Sequence, residues 1–158
     1  VVSIGGSWDG VLWQYDGSAW TAGSGSPPSL SNVNDLSAAF DRVRGRLVVY
    51  AGAVAETWEH DGSGWLLGPE PSSGPPARSR QAMALDSARG LVLLYGSLSD
   101  PAAWEYDGCA WAVGSARSAM EMRYSASMAY DETASRAIIF GGFDPQLGQS
   151  DETWEYGP

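Results

Sequence analysis

The chain contains no lysine, one histidine (His60) and one cysteine (Cys109). Each scarcity excludes a class of chemistry. Without lysine there is no Schiff base and no phosphate grip of the P-loop kind. One histidine excludes any site built on two imidazoles, including the two-histidine zinc motifs. One cysteine excludes an internal disulfide framework and a zinc ribbon, and is compatible with either redox compartment. No apolar run approaches the roughly 18 residues that suggest a membrane helix. Lys+Arg is 9 against Asp+Glu 19, a net charge of -10, so no basic footprint for nucleic acid is present. Val1-Val2-Ser3-Ile4-Gly5-Gly6 does not read as a signal peptide.

What is abundant is glycine, with 20 residues, and tryptophan, with 8 in a chain of 158. The tryptophans mark a repeat. Trp13-Gln14-Tyr15-Asp16-Gly17-Ser18-Ala19-Trp20 returns as Trp58-Glu59-His60-Asp61-Gly62-Ser63-Gly64-Trp65 and as Trp104-Glu105-Tyr106-Asp107-Gly108-Cys109-Ala110-Trp111. A shorter copy is Trp154-Glu155-Tyr156-Gly157. The opening tryptophans are spaced by 45, 46 and 50 residues. Asp41, Asp86 and Asp131 follow at intervals of 45, each closing a small-residue segment. Ten residues after each Asp, an apolar run ends in a small pair: Ala51-Gly52, Gly96-Ser97 and Gly141-Gly142, with Gly5-Gly6 as an earlier instance.

Each unit reads as four short strands. Strand a is the small-residue segment (36–41, 80–86, 125–131) and strand b the β-branched run that follows it. Strand c carries Trp-x-Tyr, whose period of two places both rings on one face. Strand d centres on Trp20, Trp65 or Trp111. Asp-Gly between c and d is a hairpin signal. No segment shows helical periodicity, so essentially no helix is predicted.

A tandem four-stranded antiparallel unit of about 45–50 residues is the description of a β-propeller blade. The predicted class is therefore all-β: a propeller with about three and a half blades in this chain. The blades fall at 1–22 (strands b to d), 36–67, 80–113 and 125–156 (strands a to c). The Gly-His and Trp-Asp signature of WD40 repeats is missing. The order Asp-Gly-x-x-Trp is one residue shorter than the sialidase Asp-box. The sequence instead resembles kelch repeats: an apolar strand ending in Gly-Gly, an aromatic on strand c, and a Trp on strand d. It is similar to the bacterial kelch-like repeat with Trp-Glu-Tyr-Asp-Gly-x-x-Trp. His60 replaces the Tyr in the second unit, and two of the Gly pairs are degenerate. Kelch rings usually hold six or seven blades, so the resemblance implies a partial ring. It would be completed by missing flanking blades or by copies of the chain, or it would close alone as a small ring with two three-stranded blades.

Strand alternation sends the a–b and c–d turns to one face and the b–c and d–a loops to the other. The repeated aspartates 16, 41, 61, 86, 107 and 131 lie on the first face and read as turn formers; a calcium site would need oxygens converging on one point. The second face carries the variable loops, where function concentrates. Its candidate binding residues are Trp8, Arg78, Arg80, Arg123, Asp144 and Asp151. Arg78 and Arg123 each precede a blade Asp by eight residues, which suits either a tie on the d–a loop or a grip on a carboxylate or sugar acid. Asp144 and Asp151 belong to a 143–152 loop longer than its counterparts. His60 reads as an aromatic substitute and Cys109 as an incidental thiol. No catalytic residues, metal ligands or cofactors are identifiable. The expected function is a non-catalytic module for binding protein or ligand, with no nucleic-acid or membrane partner. The competing class is part of a carbohydrate-active propeller enzyme whose catalytic residues lie mostly outside this chain.

Overall fold

A computed structural model describes residues 2–4, 12–23, 35–114 and 121–157. Among the described residues sixteen strands run in chain order: β1 (Val2–Ile4), β2 (Leu12–Tyr15), β3 (Trp20–Ala22), β4 (Leu36–Asp41), β5 (Arg46–Ala51), β6 (Glu56–His60), β7 (Trp65–Leu67) and β8 (Ala82–Asp86). They continue as β9 (Leu91–Tyr95), β10 (Trp104–Tyr106), β11 (Trp111–Val113), β12 (Ser127–Asp131), β13 (Arg136–Phe140), β14 (Phe143–Asp144), β15 (Gly148–Gln149) and β16 (Thr153–Tyr156). One turn of 3-10 helix, Pro71–Ser73, is the helical content of the described residues.

The strands form antiparallel meanders: β1-β2-β3, β4-β5-β6-β7, β8-β9-β10-β11 and β12-β13-β16. The registers repeat. Trp58 faces Val49, Trp104 faces Leu94 and Trp154 faces Ile139. The inner strands follow one another in space, β4 against β8 and β8 against β12. Small side chains at Ala39 and Ala84 permit that approach.

Apolar residues alternate between two faces of each sheet. One cluster joins Val48 and Tyr50 of the second sheet to Met83, Val92, Leu94, Tyr106 and Trp111 of the third. The next joins Leu93, Tyr95 and Ala103 of the third to Ala137, Ile139 and Tyr156 of the fourth. Strand b, buried on both sides in the second and third sheets, therefore reads as a continuous apolar run rather than an alternating one. The aromatic positions of strands c and d fill the gaps between sheets. Trp111 Nε1 donates to Thr57 Oγ1 across a sheet boundary at 2.8 Å, and the Tyr156 hydroxyl donates to Glu105 Oε1 at 2.7 Å.

The six repeated aspartates share one local geometry. Each Oδ1 accepts the backbone N–H groups two and three residues on, as for Asp41 with Val43 and Arg44 and for Asp107 with Cys109 and Ala110. The same pair of bonds recurs at Asp16, Asp61, Asp86 and Asp131. These are Asx turns, which explains why Asp recurs at every corner. The bonds from Ala19 and Ser18 hold Asp16 down to about 2.

Two details depart from the sequence expectation. Strand a starts at Ala82 and Ser127 rather than at 80 and 125. Arg80 and Ser125 have φ of 57° and 56°, and Asp35 takes 67° at the matching place in the second sheet. This left-handed residue turns the chain into strand a; pairing begins at once after Asp35 and two residues on after Arg80 and Ser125. The 143–152 insertion is not an irregular loop: β14 and β15 pair as a small hairpin whose turn is an Asx turn on Asp144.

Burial raises the phenols of Tyr50, Tyr95 and Tyr106 to about 12, with the Glu59 carboxylate adding to the effect at Tyr106. A folded value above the unfolded value of 10.0 stabilises the fold below pH 10, and that contribution is lost as pH rises toward 12. The denaturation midpoint is therefore expected to fall between pH 10 and 12. A phenolate absorbance titration should show these three rings ionising together with unfolding.

Candidate recognition face

The b–c and d–a loops bring the candidate residues to one end of the sheets, where they do different things. The Arg78 side chain is fully buried and pairs with Asp100 at 2.5 Å. Its Nε donates to the Pro76 carbonyl. Asp100 also accepts Trp104 Nε1 at 2.8 Å and the Ala102 N–H at 2.9 Å. Burial pushes the Asp100 carboxyl up, but Trp104, Ala102 and Arg78 together hold it below the usual range. Arg123 repeats the arrangement one unit on. It pairs with Glu152 at 2.7 Å, donates to Ser150 Oγ at 2.7 Å, and lies 5.4 Å from the Trp154 ring centre. The Trp154 indole donates to the same Glu152.

Arg78 and Arg123 thus tie each d–a loop to the acid ahead of the next strand c. Both side chains are buried in these ties. Asp144 is buried and occupied by the hairpin turn, where the Leu147 and Gln146 N–H groups lower its pKa. Trp8 lies outside the described residues.

Arg80 and Asp151 remain, and the fold brings them together. Both are exposed and both line a concavity of about 930 Å³. Its other walls are Tyr124, Ser125, Ser127, Phe140, Gly141, Gly142, Phe143, Gln149 and Ser150. The Arg80 guanidinium sits 5.3 Å from the Tyr124 ring centre. Tyr124 and Phe143 exchange backbone bonds of 3.2 and 2.9 Å, and their rings lie 5.3 Å apart. Gly142 permits the close passage of the loops: a Cβ there would sit 2.9 Å from the Tyr124 carbonyl. The site is one cation, one carboxylate, three aromatic rings, and hydroxyl and amide groups from serines and Gln149. Among the described residues no group of three or more His, Cys, Asp or Glu could hold a metal ion.

Sequence reasoning did not find the acids that hold the arginines. The signal was present: Glu152 stands two residues before a strand c Trp, and Asp100 four before. It also missed a second network on the opposite face. Arg44 binds Asp41 and Glu59, and Arg89 binds Asp86 and Glu105. There the signal was Asp-x-x-Arg in two units, with Glu after the strand c Trp. His60 fills an aromatic position: its ring lies 4.9 Å from Trp65, and Nδ1 accepts the Gly62 N–H.

No family model and no curated protein matches the sequence. Among solved structures the chain is similar to one titled "Structure of YjhT", a propeller-type fold, with a TM-score of 0.71 and 11% identity. The match covers 94% of this chain and 49% of that one. The fold is a β-propeller. The chain spans about half the length of that neighbour, and its four meanders are blades of part of a ring. In the propeller, the concavity lies at the b–c/d–a end, beside the fourth blade.

Proposed function

We propose that this propeller segment is a non-catalytic, kelch-like recognition module that holds a protein or carbohydrate ligand on its b–c/d–a face. The observation that carries the reading is the concavity lined by Arg80 and Asp151, neither in an ion pair among the described residues, with the Arg80 guanidinium beside the Tyr124 ring and the Phe143 ring next to it. A few fixed polar groups around aromatic walls suit selective binding. Hydrolysis of a glycosidic bond takes two carboxyl groups, about 5–9.5 Å apart. The lining supplies one, Asp151. The aromatic and hydroxyl lining also suits a sugar, which favours as second reading a binding subsite of a carbohydrate-active propeller whose catalytic groups lie elsewhere.

Calorimetric screening of the chain against peptides and oligosaccharides tests the proposal. Arg80→Asn is the informative variant, because Asn tolerates the left-handed backbone there. It should weaken an anionic ligand at least about tenfold and shift stability by no more than about 0.5 kcal/mol. Absence of any ligand for this chain, with catalysis by a longer chain, would overturn the non-catalytic reading.

A further inference from the structure

Every described arginine but one is paired with a carboxylate. The exception is Arg80, in a chain where Asp+Glu is 19 against Lys+Arg 9. Arg78, two residues earlier, takes Asp100, and Arg123, one unit on, takes Glu152. With acids in such excess, a cation left without one is the unusual state. Arg80 is nonetheless held in place. Its guanidinium lies 5.3 Å from the Tyr124 ring centre, and its carbonyl accepts the Ser125 N–H at 2.9 Å. An aromatic face steadies a cation without neutralising it, so the charge is left for an anionic group.

Asp151 is the counterpart of opposite sign. Its two chain neighbours are both tied to Arg123: Ser150 Oγ accepts Nη1 and Glu152 accepts Nη2, each at 2.7 Å. The Ser150 N–H donates to the Gly142 carbonyl at 3.0 Å, and the Glu152 carbonyl accepts the Gly141 N–H at 3.0 Å. The backbone is therefore fixed on both sides of Asp151. Its own side chain is exposed and makes no ion pair or hydrogen bond among the described residues. Two opposite charges thus line one concavity, each on an anchored backbone and neither neutralised by the other. The Tyr124 and Phe143 rings, 5.3 Å apart, supply its apolar wall.

We infer that the occupant is a peptide that carries both charges. It offers a carboxylate to Arg80 and an ammonium group to Asp151, and lays an apolar side chain on the Tyr124 and Phe143 rings. The inference rests on the ligand reading above and chooses within it. A neutral sugar hydrogen-bonds both groups but takes each charge out of water with no counter-charge, which is costly. A ligand whose only charge is a carboxylate serves Arg80 alone, and the chain's net charge of -10 repels it. A zwitterion carries no net charge and neutralises both groups. A peptide is the zwitterion that also brings an apolar side chain to the aromatic wall.

Calorimetry of the 158-residue chain against free-ended di- and tripeptides containing one phenylalanine tests the inference. Each peptide is compared with its N-acetyl form, which lacks the ammonium group, and its C-amide form, which lacks the carboxylate. A free-ended peptide is expected to bind, and each modification should raise Kd at least about tenfold. Arg80→Asn should abolish the effect of amidation and keep that of acetylation. Asp151→Asn should do the reverse. Both positions are exposed, so both variants should keep the far-ultraviolet spectrum and melting temperature of the parent. A general loss of affinity or of folding does not produce this crossed pattern. Peptide binding indifferent to both modifications, or an amidation effect that survives Arg80→Asn, overturns the inference. Oligosaccharide binding that Arg80→Asn weakens, with no peptide binding, overturns it while leaving the recognition face standing. Failure of peptides and oligosaccharides alike overturns both.

Discussion

Trp111→Ala is expected to lower the unfolding free energy by about 3–5 kcal/mol, the usual cost of emptying a large aromatic site. Trp111 is buried between two blades. Its ring stacks on Tyr106 at 4.9 Å and meets the edge of Tyr50 at 5.8 Å. Gly74 of the d–a loop approaches so closely that a Cβ there would sit 3.1 Å from the indole. Removing the ring leaves a void that Tyr50, Tyr106 and the loop backbone cannot all close. It also strips Thr57 Oγ1 of its donor. A domain with a total stability of about 5–15 kcal/mol loses a large fraction of it. Trp111→Phe separates the two effects. It keeps most of the apolar volume and loses the N–H, so about 1–2 kcal/mol is expected. Urea denaturation of the three proteins, read by circular dichroism, gives the comparison. Equal losses for Ala and Phe would assign the whole effect to the hydrogen bond rather than to packing.

Arg78→Met should cost about 3 kcal/mol, although it replaces a charged side chain with an apolar one of similar length. The loss comes from Asp100, whose side chain is only 17% exposed and whose one cationic partner among the described residues is Arg78. Breaking a buried pair from one side typically costs about 3–5 kcal/mol. The lower end applies because Asp100 keeps the Trp104 indole and the Ala102 N–H. The double variant Arg78→Met/Asp100→Asn should recover part of the loss, since no unpaired charge remains. Chemical denaturation of the two single variants and the double variant yields the coupling, expected at about 0.5–3 kcal/mol. Arg42→Ala is the control. Arg42 pairs with Glu132 at 2.6 Å, but both side chains are more than half exposed, so water screens the pair. A change of at most about 0.5 kcal/mol is expected there.

The repeat made most of the fold legible before any coordinates. Trp-x-Tyr at a fixed spacing from Asp and Gly requires strands of fixed length and turns of fixed type. Those requirements are local: the Asx turn at Asp41 needs only the two N–H groups that follow it. The left-handed residues at Arg80 and Ser125 were not legible. Arg and Ser have no marked preference for positive φ, and the contacts that impose it come from neighbouring loops, as when Ser125 donates to the Arg80 carbonyl. The hairpin inside 143–152 was hidden for a related reason. Two-residue strands carry no periodicity, and Tyr124 anchors one of them from a different loop.

The candidate site divided along the same line. The recurrence of Arg78 and Arg123 was visible, but recurrence suits a structural tie and a binding residue equally well. Only the coordinates showed the tie itself: Asp100 and Glu152 each reach the arginine from the next b–c loop, 22 or 29 residues along the chain. Arg80 had no repeat partner to recommend it, and its exposure beside Asp151 arises where loops from two blades meet. The sequence by itself determined the blades, because strand period, turn chemistry and aromatic spacing act over a few residues. The tertiary structure decided which charged side chains are paired in holding blades together and which stay exposed at the loop face. That outcome depends on pairings between distant residues, which no local pattern encodes.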